Sequence, residues 1–529
     1  MLVTSREPLR LRGEREVAVA PLAVPGVQHH LSRAGLTQNP AVALFVQQAQ
    51  AAKADFVLTD DNADIVATIC RHLDGLPLAI ELAAARVKVL PPAALLSRLE
   101  ARLPLLAGGP RDAPARQRTL RDTIAWSHDL LGEEDYILFR RLGVFAGGWM
   151  LPAADTVVNS ERRLDVLGGI TSLVDKSLAR QVDEADGEPR LAMLKTIREF
   201  AQEQLAASGE EPVTREQHAA WVVALVEQAA PAMYGASQRT WWERLDAERP
   251  NIRSALAWFE QTADAEWAQR LAWSVTTFCW LRGYHQEGQD WLSRAPAIPG
   301  EASPATHALA VLGLGAMAVF RGDNDAAQAE IQESLAVSRE ANFAFGVAIA
   351  QYTLAHVMWA QGNFDQAMAL GEEAILGLRE VGDAGRLSMV LANMGTFALF
   401  NGDNERGEVW AAEGLALYRA LGNRWQIANH LSDRGVLAQR RGDLVEAAQH
   451  YAESTRLFLE VGDTWYIASP LAGLAAIAAA RSATGSSAAA RCRGVAARGE
   501  RLDRVGDGTG ARRADGRSSA LGAWGGGVR

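Results

Sequence analysis

Four lysines in the 529-residue sequence decide whether it could transfer phosphate. Phosphoryl transfer by a phosphate loop needs a glycine, then a lysine, then serine or threonine, because backbone amides and the ammonium group together hold the phosphates. Lys176 and Lys195 are followed by serine or threonine, but Asp175 and Leu194 precede them where glycine is required. We therefore expect no ATP hydrolysis.

Other residue types that support catalysis or metal binding have the wrong spacing. The consecutive residues 127–129, Ser-His-Asp, cannot face one another as a catalytic triad. The adjacent His29 and His30 have no acidic or cysteine residue at ligand spacing. The three cysteines lie too far apart in sequence for a zinc motif or a disulfide framework: Cys70, Cys279 and Cys492. We expect neither an enzyme nor a metal protein.

Composition favours a soluble, cytoplasmic, globular chain. With 48% hydrophobic residues the chain can bury large cores, and few cysteines suit a reducing compartment. The formal net charge of −10 gives no global attraction to DNA or an anionic membrane, so DNA contact would need a local patch or a segment missing from this chain. We expect neither a signal peptide nor a membrane span, because the first residues lack the order of a signal peptide and no apolar run reaches about 18 residues.

The strongest pattern is a repeat of 40 residues in the second half of the sequence. Glycines recur at 322, 362, 402 and 442, and a second series at 382, 422 and 462 is preceded by Asn342 in the equivalent place. Glycine or asparagine can end a helix in the left-handed conformation, and the Asp or Asn after most of these glycines can cap the next helix. The spacing predicts helical hairpins at 305–320/324–340, 345–360/364–380, 385–400/404–420 and 425–440/444–460.

Small residues at fixed distances from these glycines predict how the hairpins pack. Seven residues before each interhelix glycine stand Gly315, Ala355, Gly395 and Gly435. Such positions let two helices approach closely, and the pattern resembles tetratricopeptide repeats, although the usual period is about 34 residues. We expect an α-solenoid with a concave face, begun by a divergent unit at 273–294.

Four motifs in order carry a second resemblance: Val3–Leu9, Leu73–Ala83, Arg118–Leu131 and Leu138–Gly148. With Trp241–Leu256 and the repeats behind them, they resemble the NB-ARC-type signal-transduction ATPases of bacterial AfsR-like and large LuxR-type transcriptional regulators. The resemblance implies that Arg6 would sense a terminal phosphate and Pro77 would pack against adenine. Residual ATP or ADP binding is therefore expected at most, and no cofactor is assigned.

The resemblance and the breaks in composition together predict a mainly α fold in six segments. Residues 1–30 would be the remnant of a nucleotide-binding α/β domain whose larger part is expected upstream, and the tail would be either a disordered linker or the product of a changed reading frame. The segments are 1–30, the remnant; 31–110, a helical bundle with the Gly-Leu-Pro-Leu-Ala motif; 111–215, a winged helix; 216–300, linking helices and a divergent first repeat; 301–480, the tetratricopeptide-like solenoid; and 481–529, an Arg/Gly/Ala tail.

The winged helix is expected to act as an internal regulatory lever rather than as a DNA reader. Its helices are predicted at 119–131, 133–145 and 170–178, with a wing strand at 190–194. Its arginines are expected to be solvated or to pair with acidic neighbours: Arg116, Arg118, Arg121, Arg140 and Arg141.

In a tetratricopeptide superhelix the first helix of each hairpin lines the concave face, which predicts a partner-binding surface. Its residues are Tyr352, His356, Trp359, Asn393, Thr396, Asn429 and Asp433. A near-neutral lining of this kind suits a protein or peptide segment or a small organic inducer better than DNA. The alternative is that these side chains pack between helices or face water.

The sequence supports two hypotheses for the function of the chain. The first is the sensor part of an ATP-dependent transcriptional regulator, in which the solenoid binds an inducer or a protein partner. The second is a freestanding interaction scaffold built on tetratricopeptide-like repeats.

Overall fold

A computed structural model describes part of the chain, namely residues 12, 14–15, 17, 19–26, 33–99, 119–182 and 189–480. Arg6, most of the expected nucleotide-binding remnant and the tail from residue 481 lie outside the described residues. The chain divides into two compact units: Met1–Trp221 with Glu248–Ala255, and Val222–Ala247 with Leu256–Arg529.

The first unit begins with short helices that start at recognisable capping residues. They are α1 (Arg33–Thr37), α2 (Pro40–Ala52), α3 (Asp60–His72), α4 (Pro77–Ala85) and α5 (Pro92–Arg98). The side chain of Asn39 accepts a hydrogen bond from the backbone N of Ala41 at 3.1 Å, which satisfies a donor that the first turn of α2 leaves unpaired. Phe45, Ile69 and Leu73 are fully buried and form part of the core of this unit.

A winged-helix arrangement follows in the first unit. Its elements are α6 (Leu120–His128), α7 (Glu133–Leu142), β1 (Trp149–Met150), α8 (Leu151–Val158), α9 (Val166–Asp175), β2 (Arg180–Val182), β3 (Arg190–Ala192) and α10 (Lys195–Ser208). The three strands pair antiparallel in the order β1-β3-β2. From α7 onward the order is helix, strand, two helices and two strands, which is that of a winged helix.

The sequence predicted part of this region correctly. Helices near 119–131 and 133–145, the helix before residue 178 and the strand that begins at Arg190 are confirmed. Helix α8 and strands β1 and β2 differ from the prediction, which contained none of them, and α8 is the second helix of the winged helix. Eight residues with a proline in the first turn are too few to show a helical period, and strands of two or three residues show no alternation.

Two long helices come next, α11 (Glu211–Ala232) and α12 (Gln238–Thr262). Each contributes residues to both units. In the first unit, a Cβ atom placed on Gly147 would lie 2.9 Å from the ring of Pro250 in α12, so glycine is required for this contact.

The second unit continues as a series of antiparallel helical hairpins. Its helices are α13 (Ala265–Ser274), α14 (Thr276–Leu281), α15 (His285–Arg294), α16 (Pro304–Arg321), α17 (Asn324–Glu340), α18 (Ala344–Ala360), α19 (Phe364–Val381), α20 (Ala384–Asn401), α21 (Asn404–Leu421), α22 (Arg424–Arg441), α23 (Leu444–Val461) and α24 (Ala468–Ala480). All four predicted hairpins are confirmed, with ends within one residue of the predicted bounds. The solenoid interpretation is therefore correct.

Helix ends in the solenoid follow the chemistry expected of the glycine series. Gly402 adopts a φ of 89° and Asn342 a φ of 53°, both in the left-handed region. Asp383 begins the next helix by accepting a hydrogen bond from the backbone N of Arg386 at 2.9 Å. Each turn thus satisfies backbone groups at the end of one helix and at the start of the next.

Close packing within hairpins explains the small residues. A Cβ atom on Gly395 would lie 2.6 Å from the backbone N of Ala411 and 2.9 Å from the carbonyl oxygen of Gly407. A Cβ atom on Gly435 would lie 2.5 Å from the ring of Tyr451. Gly395 and Gly435 therefore allow the two helices of their hairpins to approach this closely.

Among the described residues, one helix is long and apolar enough to cross a membrane by length and composition, namely α16. Half of that stretch is buried inside the protein. Since α16 packs with α17 as the first hairpin of the solenoid, its apolar character is accounted for by the core.

Candidate functional site

A pocket lies among the first helices of the hairpins in the second unit. Its walls include five aromatic side chains, Tyr234, Trp273, Trp280, Phe320 and Tyr352. Met317, Ile349 and Met389 add apolar surface. Walls of this composition release water when they are covered, which is typical of sites that bind small organic molecules.

Tyr234 reaches the pocket from the turn between α11 and α12. A Cβ atom on Gly385 would lie 2.8 Å from the Cβ of Tyr234, and a Cβ on Gly422 would lie 2.9 Å from that of Ala236. Two glycines at the starts of successive hairpins therefore make room for this turn. The hydroxyl of Tyr234 lies 3.4 Å from that of Thr277.

Arg386 is the charged residue that lines the pocket, and it is held on three sides. Its Nη1 lies 2.7 Å from Oδ2 of Asp383. Its guanidinium carbon lies 5.1 Å from the ring centre of Tyr234 and 4.8 Å from that of Phe345, distances typical of cation–π contacts. Burial lowers the pKa of Arg386, but Tyr234 and Asp383 raise it more, so the guanidinium stays charged and its charge is balanced.

Of the seven residues predicted to bind a partner, Tyr352 lies at the pocket. It is buried, and its hydroxyl accepts a hydrogen bond from Nδ2 of Asn393 at 2.5 Å. This bond joins α18 to α20, the first helices of two successive hairpins. Asn393 is half-buried.

His356, Trp359 and Thr396 correct the expectation of an open lining. The ring of His356 lies 4.9 Å from that of Phe397, and burial lowers its pKa to about 3, so it is neutral. Trp359 is half-buried and stacks on Phe397 at 4.3 Å between ring centres. Thr396 is buried and donates to the carbonyl oxygen of Ala392 on its own helix. Tight stacking of successive hairpins places these side chains between helices, as the alternative allowed.

Asn429 and Asp433 lie one turn apart on α22 and are half-buried. Burial raises the pKa of Asp433 to about 7. Burial also raises the pKa of Tyr418, and the nearby Tyr352 and Asp433 add to that shift. Two tyrosines and a carboxyl group are thus close enough to interact electrostatically in the solenoid interior.

A second polar cluster, which the sequence analysis missed, lies in the first unit around Gly147 and Gly148. Nη1 of the buried Arg190 lies 2.7 Å from Oε1 of the buried Glu248, and its Nε donates to the carbonyl oxygen of Gly147 at 3.1 Å. Asn251 donates to Oε2 of Glu248 at 2.5 Å and accepts from the backbone N of residue 146 at 2.7 Å. Two of the sequence motifs, residues 138–148 and 241–256, meet at this cluster, so the motifs themselves indicate that the two segments are important here.

The winged helix presents a neutral recognition face. Third helices of winged-helix domains commonly contact DNA, and here this helix is α9. Its exposed residues include Leu167, which is 62% exposed, Thr171 and Val174. Side chains of this kind do not neutralise phosphate groups. The exposed cationic side chains near this helix lie outside it, at Arg162, Arg163 and Arg180.

Three of the five arginines named in the sequence analysis pair with acidic residues, as expected. Arg121 forms an ion pair with Glu203. Arg140 and Arg141 lie 2.8 Å and 3.0 Å from the carboxylate of Glu210. Hydrogen bonding from Arg140 is the main cause that lowers the pKa of Glu210 to about 2. Arg116 and Arg118 lie outside the described residues.

The proline assigned to nucleotide binding occupies a helix start. Pro77 is exposed at the first position of α4, and a Cβ on Gly75, two residues earlier, would overlap the carbonyl oxygen of Leu22. Oδ2 of Asp74 accepts from the backbone N of Lys195 at 2.6 Å. In the described part of the chain this motif therefore holds local structure, while its proposed partner Arg6 is outside that part.

Metal chemistry finds no support in the described residues. No group of three or more histidine, cysteine, aspartate or glutamate side chains among them could hold a metal ion.

Comparison with known proteins agrees with this architecture. Residues 131–206 match the family described as "Winged helix-turn-helix domain", so the chain contains that domain. The chain is 38% identical over 296 residues to a Mycobacterium tuberculosis protein named "Putative HTH-type transcriptional regulator". The match covers 55% of this chain and 32% of the relative, about a third of its length.

Two further likenesses complete the comparison. An uncharacterized protein of Mycobacterium bovis is 38% identical over 213 residues, which cover 40% of this chain and 51% of that protein. The crystal structure of a signal transduction ATPase with numerous domains that has a tetratricopeptide repeat sensor, from Pyrococcus horikoshii, aligns with a TM-score of 0.43 at 14% identity, covering 84% of this chain and 62% of that one. The described residues are mainly helical and include a winged helix-turn-helix domain, and the chain is similar to proteins named "Putative HTH-type transcriptional regulator".

Proposed function

We propose that the chain is the effector-sensing part of a transcriptional regulator and that its solenoid binds the effector. The observation that carries this proposal is the 38% identity over 296 residues to proteins named "Putative HTH-type transcriptional regulator", together with the matched winged helix-turn-helix domain. The aromatic pocket of the second unit supports the sensing role. A sensor needs a site for its effector, whereas a solenoid with only a structural role needs no such site.

The effector is an inducer or a peptide rather than DNA. The inner helices carry neutral groups such as Tyr352 and Asn393, and the charge of Arg386 is balanced by Asp383. Neutralisation of phosphate groups would need several unpaired cations. We assign DNA contact to another part of the regulator, because the match covers about a third of the length of the named relative and this chain has a formal net charge of −10.

No enzymatic step is part of the proposal. The sequence has no glycine followed by lysine and then serine or threonine, so phosphate would lack its usual backbone cradle. Purified chain is expected to release no phosphate from ATP above the level of a blank preparation. Sustained release that copurifies with the chain through successive columns would contradict this expectation.

Transcript profiling in the native host tests the regulatory role. Deletion of the gene should change a defined group of transcripts, and the wild-type chain should restore them. Gly395→Leu, which disrupts a hairpin, should fail to restore them, whereas Ala369→Leu at an exposed helical position should succeed. Unchanged transcripts after deletion would overturn the regulatory role.

A freestanding interaction scaffold is the second candidate, and exposed apolar side chains on the second helices of the hairpins favour it. These are Leu376, Val409, Val445 and Leu459. A protein partner that covers these side chains would bury apolar surface, which stabilises the complex. A deletion strain with unchanged transcripts, together with stable capture of one defined partner that Val409→Asp abolishes, would support this candidate instead.

A further inference from the structure

We infer that the pocket of the second unit binds a small, uncharged aromatic compound with one hydrogen-bond donor, of the indole or phenol type. This inference rests on the proposed sensing function and specifies the class of its effector.

The size of the pocket sets the first limit on its ligand. The space that the centre of a water molecule can occupy is about 60 Å³. An enclosed apolar cavity of about 150 Å³ holds a benzene ring, so the enclosed part of this pocket is smaller than one ring. The pocket is partly open to solvent, and a small aromatic compound would place one ring in it while its remainder stays at the opening.

The walls favour an aromatic body. Trp273, Trp280 and Phe320 lie on three different helices around the space, and Tyr234 and Tyr352 complete it. Trp280 and Phe320 are nearly parallel, with an angle of 23° between their planes and 5.7 Å between their centres. Aromatic ligands gain both from burial and from stacked or edge contacts with such rings. Met317 and Met389 supply polarisable sulfur at the remaining surface.

Charge balance disfavours an ion. Arg386 already contacts Asp383 at 2.7 Å, and its guanidinium lies over the rings of Tyr234 and Phe345. A carboxylate ligand would have to lose its hydration without an unbalanced cation to receive it, and a cationic ligand would meet the guanidinium. An uncharged ligand avoids both costs.

Two threonines define the polar group of the ligand. Thr276 donates its hydroxyl hydrogen to the carbonyl oxygen of Ala272 at 3.1 Å, and Thr353 donates to that of Ile349 at 2.8 Å. A hydroxyl group that has used its single donor can still accept hydrogen bonds. The threonine oxygens at the pocket therefore recognise an N–H or O–H donor on the ligand.

Three matched compounds test the inference with the purified full chain by isothermal titration calorimetry. Indole is expected to bind saturably. 1-Methylindole, which lacks the N–H donor, should bind about fivefold more weakly, the loss expected for one net hydrogen bond. Indole-3-carboxylate should bind more than tenfold more weakly, because its charge is buried without a free partner.

Substitutions locate the binding and separate it from general effects on folding. Thr353→Val should reduce the affinity for indole severalfold and leave that for 1-methylindole unchanged. Thr396→Val is the matched control, since Thr396 is equally buried and donates to its own helix but does not line the pocket. It should change neither affinity. Ala316→Leu, which fills the pocket, should abolish binding of both compounds while the helical signal in circular dichroism is retained.

Several results would overturn the inference. These are absence of saturable indole binding at millimolar concentration, equal binding of the three compounds, and binding that neither Thr353→Val nor Ala316→Leu alters. None of these results affects the outcome of the transcript experiment. If the chain restores transcripts but does not bind indole, the proposed regulatory role stands and only the proposed ligand class is wrong. If the chain binds indole but deletion of its gene leaves transcripts unchanged, the ligand class stands and the regulatory role is wrong.

Discussion

The interior of the first unit around Gly147 and that of the second unit around Tyr352 are filled by different chemistry. In the first, Arg190, Glu248 and Asn251 satisfy one another and the glycine carbonyl groups at distances of 2.5–3.2 Å. In the second, aromatic rings from several hairpins meet around open space. A buried ionic cluster tolerates one geometry, whereas apolar walls can accept an added molecule.

Breaking the ionic cluster should give the largest effect. Glu248→Ala removes the carboxylate that lies 2.7 Å from Nη1 of the buried Arg190. We expect the free energy of unfolding to fall by about 3–5 kcal/mol. Urea unfolding measures this loss. Glu243→Ala on the same helix is the control, because Glu243 forms an exposed ion pair with Arg239 and should cost less than about 1 kcal/mol. Equal costs for the two variants would contradict the contrast.

Overpacking a hairpin should have the next largest effect. A side chain on Gly395 would meet the backbone of Ala411, which cannot move independently of its helix. Gly395→Leu is therefore expected to lower the free energy of unfolding by about 2–3 kcal/mol. Ala369→Leu, at an exposed position of α19, should stay within about 0.5 kcal/mol of the wild type. Unchanged thermal unfolding of Gly395→Leu would refute the close approach of α20 and α21.

The hairpins and their close helix contacts could be predicted from the sequence. A period of 40 residues repeats the glycines at the turns and the small residues at the contacts four times. Most of the residues that line the pocket could not be predicted from the sequence. Tyr234, Trp280 and Arg386 come from segments that lie far apart in sequence, and none of them recurs with the repeat. Tyr352 was identified from its position, whereas the burial of His356 and Thr396 depends on how tightly successive hairpins stack.

Lowering the pH should change the free energy of unfolding by less than the substitutions above, through buried histidines in both interiors. Burial lowers the pKa of His356 and of His430 in the solenoid to about 3, and that of His218 in the first unit to about 4. The unfolded chain therefore binds more protons, and stability is lost as the pH falls from about 6.5 towards these values. Each histidine contributes at most about 1.4 kcal/mol per pH unit.

Asp433 acts in the opposite direction, because its pKa of about 7 means that the folded state holds a proton that the unfolded state releases. His356→Gln is expected to flatten the dependence of stability on pH between 6.5 and 5, and Asp433→Asn to steepen the loss on acidification. Urea unfolding at a series of pH values measures both slopes. Identical slopes in the wild type and both variants would show that these groups are not buried as described.

Hydrogen–deuterium exchange of the full chain with and without indole tests most directly whether the solenoid interior is the effector site. Binding at the pocket should slow exchange in residues 276–281, 312–320 and 349–353, which carry most of its walls. Exchange in the winged helix, residues 133–208, should stay unchanged. Slower exchange confined to residues 133–208, or no change in either region at saturating indole, would contradict the account.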